Sequence, residues 1–181
     1  MNGTHAWGVH GPMETIVTSD VVGQPVAFEV FFEAERARLL RALYLLTGNG
    51  EEAEEVLQES FIAIWERWDR VGAMDDPTGY LYRTALNRHR SRLRRVARAA
   101  RLAIGQAHGR DGFADVEDRV EVARALSALS PRRREAIVLT GLLEYSSADA
   151  GRVMGVADAT VRRLAQDARA DLRATLEDRD A

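Results

Sequence analysis

Helical periodicity is the feature that most limits the fold of this chain. From residue 27 onward, apolar side chains recur three and four residues apart, and no segment alternates apolar with polar residues as a strand would. The spacing predicts one helix over residues 28–46, a second over 51–65 and a third that begins near Thr78. Between the first two, residues 47–50 (TGNG) supply the glycine and asparagine that commonly end helices. We therefore expect an all-α protein.

The second half repeats the helical pattern after an interruption. Residues 103–115 contain three glycines and little periodicity, which predicts a linker between two small helical domains. Ser146 or Ser147 is placed to cap a short helix that Gly155 ends, and the last helix opens at residues 158–159. The expected organisation is a flexible arm, a first bundle, a flexible linker, a second bundle and a tail, over residues 1–26, 27–96, 97–118, 119–176 and 177–181.

Charge is segregated along the chain. The net charge is −3, yet residues 77–110 carry nine arginines and no acid, whereas residues 28–76 carry 12 acids and five arginines. All 25 basic residues are arginine. Two explanations fit this preference: codon bias in a GC-rich genome, and the better match of the planar guanidinium to phosphates and base edges. The segregation itself indicates surfaces with different partners.

Seven of these arginines fall within residues 88–101. An ordinary charged run is a solvated face, but this segment has no acid four residues away to offset its charge. An anionic ligand would offset it, and a nucleic acid backbone is the commonest large one. The candidate phosphate contacts are Arg83, Arg88, Arg90, Arg92, Arg94 and Arg95.

Aromatic residues flank the loop before this segment. Aromatic rings beside a basic groove hold unstacked bases in many single-strand-binding proteins. Trp68 and Tyr80 are the stacking candidates, whereas Trp65 and Tyr82 are predicted to be core residues.

The last two helices have the layout of a helix-turn-helix, whose second helix enters the major groove. The candidate contacts there are Thr160, Arg162, Arg163, Gln166 and Arg169.

Several functional classes find no support in the sequence. Without cysteine there is no disulfide or thiolate chemistry, and the four histidines form no metal-binding pair, so no metal or cofactor is expected. No nucleophile, base and orienting group are evident, so no enzymatic activity is expected. No apolar run reaches the roughly 18 residues of a membrane span and no signal peptide is visible, which predicts a cytoplasmic protein.

Three segments resemble the extracytoplasmic-function (ECF) group of bacterial sigma-70 factors. Residues 53–65, AEEVLQESFIAIW, resemble the region 2 pattern AEDLVQETFLRVW, and residues 76–95 resemble the segment that follows it. Residues 125–172 resemble region 4, with its L-P-x-x-x-R-E block and its G-V-x-x-x-T-V opening of the recognition helix. The resemblance covers residues 27–176.

This resemblance implies a factor that docks on core RNA polymerase and directs it to promoter DNA. Region 2 would bind the β′ clamp helices and melt the −10 element, and region 4 would contact the β flap and read the −35 element. Loop 71–79 would receive a flipped −10 base beside Asn87, which places Asp76 and Thr78 among the DNA contacts. The implied clamp contacts are Glu55, Leu57, Gln58, Glu59 and Phe61. The resemblance also implies an anti-sigma factor that captures the two domains and can hold the protein at the membrane.

Region 4 departs from the family pattern. Ala150 and Gly151 replace a large residue and an alanine, Leu164 replaces an arginine, and Asp167 stands at a basic position. An acid facing phosphate is repulsive, so we expect weak or unusual −35 binding, with either an atypical −35 element or reliance on a helper protein. The smaller side chains predict a thinner core.

Two alternatives remain beside the promoter-factor interpretation. A helix-turn-helix regulator acting without polymerase would explain the second bundle but not residues 53–65. A sigma-like protein held mainly as an interaction partner would explain the departures in region 4.

Overall fold

The computed structural model describes residues 27–102 and 117–180; the predicted arm and most of the predicted linker lie outside these ranges. Every regular element within them is helical, which confirms the all-α prediction. In chain order the helices are α1 (Phe28–Thr47), α2 (Gly50–Trp65), α3 (Trp68–Val71), α4 (Pro77–Leu102), α5 (Glu117–Ser127), α6 (Pro131–Ile137), α7 (Ser147–Met154) and α8 (Asp158–Asp180).

Helices α1 to α4 form the first bundle. Gly48 ends α1 in the left-handed conformation at φ 67°, and its N–H donates to Tyr44 O at 2.8 Å. The side chain of Asn49 then accepts from the Glu52 N–H at 2.8 Å and caps α2. The turn predicted at residues 47–50 is therefore present for the expected reasons. The core residues include Leu39, Leu43, Ala53, Val56, Ile64, Leu81 and Ala85.

One end of the first bundle is an aromatic cluster. Trp68 packs on Phe31 with ring centroids 4.9 Å apart and edge-on to Phe28 at 5.4 Å. Trp68 is partly buried in this cluster, and its stacking on bases stays a prediction. Trp65 was expected in the core but is 62% exposed, whereas Tyr82 is buried as predicted.

Helix α4 is longer than the sequence indicated. It begins after Asp76, whose Oδ1 accepts from the Gly79 N–H at 2.7 Å, with Pro77 in the first helical position. It runs to Leu102, past the boundary at residue 96 where the linker was expected to start. The arginine-rich segment predicted from the sequence therefore lies on one continuous helix.

Helices α5 to α8 form the second bundle, and α6 continues as a π-helical turn over Val138–Leu142. Ser146 caps α7 by accepting from the Asp149 N–H, and Gly155 ends α7 at φ 71°. A Cβ on Gly151 would lie 2.7 Å from Val156 O, so the small residue allows a tight turn into α8. Ala150 and Ala165 are fully packed. Small side chains at these positions therefore allow close packing at the turn between α7 and α8. Helix α8 also includes most of the predicted tail.

The two bundles pack against each other. Helix α5 and the π-helical turn contact α1, and α7 contacts α4. Arg38 Nη2 donates to Leu143 O at 2.7 Å, and Arg134 Nη1 donates to Leu46 O at 2.7 Å. The sequence predicted two bundles but gave no sign of this interface.

Candidate nucleic-acid and partner surfaces

The arginines of α4 have acidic partners on α2. Arg88 Nη1 lies 3.2 Å from Glu59 Oε2, and Arg92 binds both Glu59, at 2.5 Å, and Glu55. The expectation of partnerless arginines was therefore wrong for these two. Spacing along one helix cannot reveal these ion pairs, because the acids lie on α2 and the arginines on α4.

These contacts also change the pKa of the Glu59 carboxylate. Burial raises the pKa of Glu59, but hydrogen bonds and charge from Arg92 and Arg88 outweigh it and leave that pKa below its usual value. Glu59 stays ionised and engaged within the bundle. Glu55 and Glu59, both expected to contact the polymerase clamp, thus hold α4 against α2 in this structure.

A polar groove of about 570 Å³ runs along α4 beside these pairs. Asn87 is exposed within it, as expected of a DNA contact. Asn87 lies eight residues after Gly79, about 12 Å along the helix axis at 1.5 Å per residue. The structure therefore does not place Asn87 beside loop 71–79 along α4. The groove is lined by Glu59, Thr84, Asn87, Arg88, Ser91, Arg92 and Arg95.

The other −10 candidates divide by position on α4. At its start, Asp76 is the cap, Thr78 Oγ1 donates to Glu35 Oε1 at 3.2 Å, and Tyr80 packs half-buried against the core. Towards its end, Arg94 and Arg95 are exposed and form no ion pair with a described residue. The accessible basic surface therefore lies in the second half of α4.

Two candidate arginines contact the second bundle: Arg90 is mostly buried there, whereas Arg83 stays exposed. Arg90 donates from Nε to Glu135 Oε1 at 2.7 Å and from Nη2 to Oε2 at 2.5 Å. Arg83 Nη2 donates to Arg152 O at 2.5 Å. Glu135 is 1% exposed, and sequence reasoning missed it because a single glutamate in an arginine-rich helix reads as a surface residue.

Tyr145 lies at the same interface, with its ring 5.8 Å from that of Tyr82. Burial, then the charges of Asp76 and Glu35, raise the pKa of Tyr145 to about 12, and burial also raises the pKa of Tyr82. Since an unfolded tyrosine ionises near pH 10, the folded chain holds the phenol proton more tightly. Its stabilising contribution is complete below pH 10 and is lost as pH rises towards 12.

We therefore expect the free energy of unfolding to fall between pH 10 and 12, and to fall less steeply in Tyr145→Phe, which has no proton to lose. Urea unfolding at several alkaline pH values measures this, with Tyr80→Phe as the matched control. Identical pH dependence in wild type and Tyr145→Phe would contradict the assignment.

The expected clamp contacts are only partly accessible. Leu57 and Phe61 are mostly buried in the core, at 5% and 4% exposed, whereas Gln58 is exposed. Gln58 lines an apolar groove of about 550 Å³ between α1 and α2, beside the exposed Ile62 and Trp65. The sequence did not lead us to expect Ile62 and Trp65 on the surface. A signal was present, because the apolar stripe of α2 is wider than one packed face needs. We call this the α1–α2 groove; it is lined by Phe28, Glu29, Phe32, Glu33, Gln58, Phe61, Ile62 and Trp65.

The recognition-helix candidates lie on one accessible side of α8. Thr160 is half-buried, while Arg162, Arg163, Gln166 and Arg169 are exposed. Arg162 donates to Asp158 Oδ2 at 2.7 Å, and this hydrogen bond lowers the pKa of Asp158 below its usual value.

Asp167 of α8 has a basic partner on the neighbouring helix α6. Its Oδ2 lies 3.3 Å from Arg133 Nη2 of α6, and the same arginine binds Asp171 at 2.8 Å. Asp167 thus ties α8 to α6, and the expectation of weak or unusual −35 binding stays a prediction.

Across residues 27–102 and 117–180, no helix is long and apolar enough to span a bilayer, and no cluster of three acids or histidines could hold a metal ion.

Comparison with known proteins matches both bundles to one family. Residues 31–99 match the Sigma-70 region 2 model, and residues 119–172 match the Sigma-70, region 4 model. The chain is 32% identical over 174 residues to ECF RNA polymerase sigma factor SigC of Mycobacterium tuberculosis, covering 91% of each protein. It is 28% identical to SigM of the same species, over 87% of this chain and 81% of that protein.

Solved structures show the same fold. CnrH, determined in complex with the cytosolic domain of CnrY, is 27% identical with a TM-score of 0.63, over 86% of this chain and 90% of that one. RpoE, determined in complex with the anti-sigma factor NepR from Bartonella quintana, has a TM-score of 0.68 at 24% identity, over 82% and 98% of the two chains. With both regions present in one chain, the protein belongs to the ECF sigma factors of the sigma-70 family, non-enzymatic factors that direct RNA polymerase to promoters.

Proposed function

We propose that this sigma factor docks on core RNA polymerase through the α1–α2 groove, melts the −10 element along α4 and reads the −35 element with α8. The observation that carries the proposal is the open α1–α2 groove. A helix-turn-helix regulator acting alone needs only the second bundle and has no use for a docking surface on the first. The groove therefore favours the polymerase-dependent function over that alternative.

The groove has the chemistry of a protein-binding site. Ile62 and Trp65 are 55% and 62% exposed above a floor that includes Phe61, and exposed apolar clusters of this kind mark interaction sites. Glu29 and Glu33 line the groove as well. An apolar centre with an acidic edge fits a helical partner that carries apolar and basic side chains. We assign this partner to the β′ clamp helices.

The −10 contacts are proposed for the polar groove of α4 and its exposed end. Asn87 offers an amide that can hydrogen-bond a base, and Arg94 and Arg95 are free to bind phosphates. Opening a duplex costs on average about 1.4 kcal/mol per base-pair step. Stacking and charge contacts with the captured strand offset this cost.

The −35 contacts are proposed for the exposed side of α8. Gln166 suits adenine and Arg163 suits guanine in the major groove, while Arg169 is placed for the backbone. Asp167 is paired with Arg133, which offsets part of the charge that it presents to DNA. We therefore propose direct −35 binding by region 4 with the β flap as its polymerase contact.

We further propose regulation by an anti-sigma factor in the cytoplasm. CnrH and RpoE, which share this fold, were determined with the cytosolic domain of CnrY and with the anti-sigma factor NepR, respectively. Capture by a membrane-linked partner would place the protein at the membrane. Co-purification of an endogenous partner that blocks run-off transcription in vitro tests the idea, and a lack of inhibition by every co-purified protein would contradict it.

Run-off transcription with core polymerase on templates from the source genome tests the main proposal. We expect discrete transcripts that depend on the protein and are lost in Asn87→Ala and Arg163→Ala, since these remove base contacts. Arg173→Ala, an exposed change further along α8, is the matched control and should retain them. DNA binding without any polymerase binding would instead support the regulator alternative.

A further inference from the structure

We propose that Asp158 is a positioning residue for base readout, which holds Arg162 of α8 in place to read one guanine of the −35 element. The inference rests on the proposed −35 role of α8 and adds to it two residues that act as one unit. Asp158 does not contact the base itself in this arrangement, because it acts through the guanidinium of Arg162.

The start of α8 has a fixed place in the second bundle. Where α7 turns into α8, the Val156 N–H donates to Gly151 O at 3.0 Å. Val161 then anchors the first turn of α8, because its side chain is 0% exposed. Asp158 and Arg162 lie one turn apart on this anchored helix, and both are exposed. Their backbone positions are therefore set, and only the directions of their side chains remain to be fixed.

The Asp158 carboxylate is held at both of its oxygens. Its Oδ1 accepts from the Ala159 N–H at 2.7 Å, and its Oδ2 accepts from Arg162 Nη1 at 2.7 Å. The hydrogen bond from Arg162, then that from Ala159, lower the pKa of Asp158 below its usual value, so the carboxylate is ionised at neutral pH. A charge-assisted hydrogen bond of this kind is stronger than a neutral one, and it restrains the long arginine side chain.

Two kinds of donor on Arg162 remain for DNA. Across residues 27–102 and 117–180, its Nη1 donates to Asp158, whereas its Nε and Nη2 have no hydrogen-bond partner. Arginine reads guanine with two donors at once, to O6 and N7 in the major groove. A guanidinium that is already restrained loses less side-chain freedom on binding, and it reaches fewer alternative acceptors such as phosphates.

Asp158 also acts against non-specific binding. An acid beside a recognition helix repels the phosphate backbone of DNA of any sequence. Loss of Asp158 should therefore raise the affinity for unrelated DNA while it lowers the preference for guanine. A residue that only stabilised the helix would lower both when it was removed, so the opposite changes identify positioning.

Selection from a promoter library tests the inference. Holoenzyme assembled from core polymerase and the full-length protein is bound to duplexes in which the base pairs around −35 are randomised, and the bound pool is sequenced. We expect the wild-type pool to prefer guanine at one position. Arg162→Ala and Asp158→Ala should each lower that preference by at least ~5-fold, the low end of what a bidentate arginine contact contributes to discrimination.

Further variants separate positioning from charge. Adding Asp158→Ala to Arg162→Ala should change the base preference no further, because Asp158 acts only through Arg162. Binding of the free protein to an unrelated duplex at constant salt should tighten by about twofold in Asp158→Ala. Glu177→Gln makes the same charge change at an exposed site further along α8 and should leave both readings close to wild type. Helical circular dichroism should be retained, since an exposed ion pair adds little to stability.

The outcomes distinguish this inference from the proposed function. A guanine preference that survives Asp158→Ala but is lost in Arg162→Ala would overturn the inference and leave the −35 role of α8 standing. Additive losses in the double variant would show that Asp158 contacts DNA directly, which also overturns it. A wild-type pool without preference at any position would contradict the proposed −35 reading and the inference together.

Discussion

Replacing Ile62 and Trp65 together by alanine should weaken binding to core polymerase by at least ~30-fold, about 2 kcal/mol, the loss typical of a binding hot spot. Both side chains are more than half exposed, so they contribute little to the core. Their apolar surface becomes buried only when a partner occupies the α1–α2 groove. Titration of labelled protein with core polymerase measures the change.

The matched control is Val122→Ala. Val122 is 50% exposed on α5, an apolar side chain of similar exposure that lies outside the groove. We expect its affinity for polymerase to stay within about twofold of wild type, as for most interface-remote positions. Equal affinity of the double variant and wild type would show that the polymerase docks elsewhere.

Leu43→Ala should lower the free energy of unfolding of the first bundle by about 2–5 kcal/mol. Leu43 of α1 is fully buried against the neighbouring helices. Truncation therefore removes apolar burial and leaves a cavity in a close-packed core. Urea unfolding followed by tryptophan fluorescence measures it, because Trp68 lies in the aromatic cluster of the same bundle.

Leu93→Ala makes the same chemical change on the exposed half of α4, where Leu93 is 37% exposed. We expect it to cost less than about 1 kcal/mol, since truncation of a partly exposed side chain leaves no closed cavity. If both substitutions cost the same, the packing of α1 described here would be wrong.

Helix boundaries were largely readable from the sequence, because the signals that set them are local. Gly48 and Asn49 form a C-cap and an N-cap, and Ser146 and Gly155 do the same at the two ends of α7. Each cap bonds to a backbone group within about four residues, so the residue types in a short window are sufficient. The resemblance to region 2 and region 4 rested on similarly continuous segments.

Side-chain exposure was less predictable even where the helix was right. Trp65 and Trp68 are three residues apart, and the sequence assigned the first to the core and the second to DNA. The structure leaves Trp65 exposed, and it packs Trp68 against Phe28 and Phe31 of α1. Which side of a helix is buried depends on where its neighbours lie. The sequence of α2 and α3 alone does not show which of the two tryptophans α1 covers.

The sequence by itself determined an all-α chain of two bundles, a basic helix, a helix-turn-helix and membership of the sigma family. Only the tertiary structure decided which of those charges are free. Arg88 meets Glu59 across 29 residues, and Arg90 meets Glu135 across 45. Pairings at such separations depend on how whole helices pack, and the burial of many apolar side chains, not the charges themselves, sets that packing.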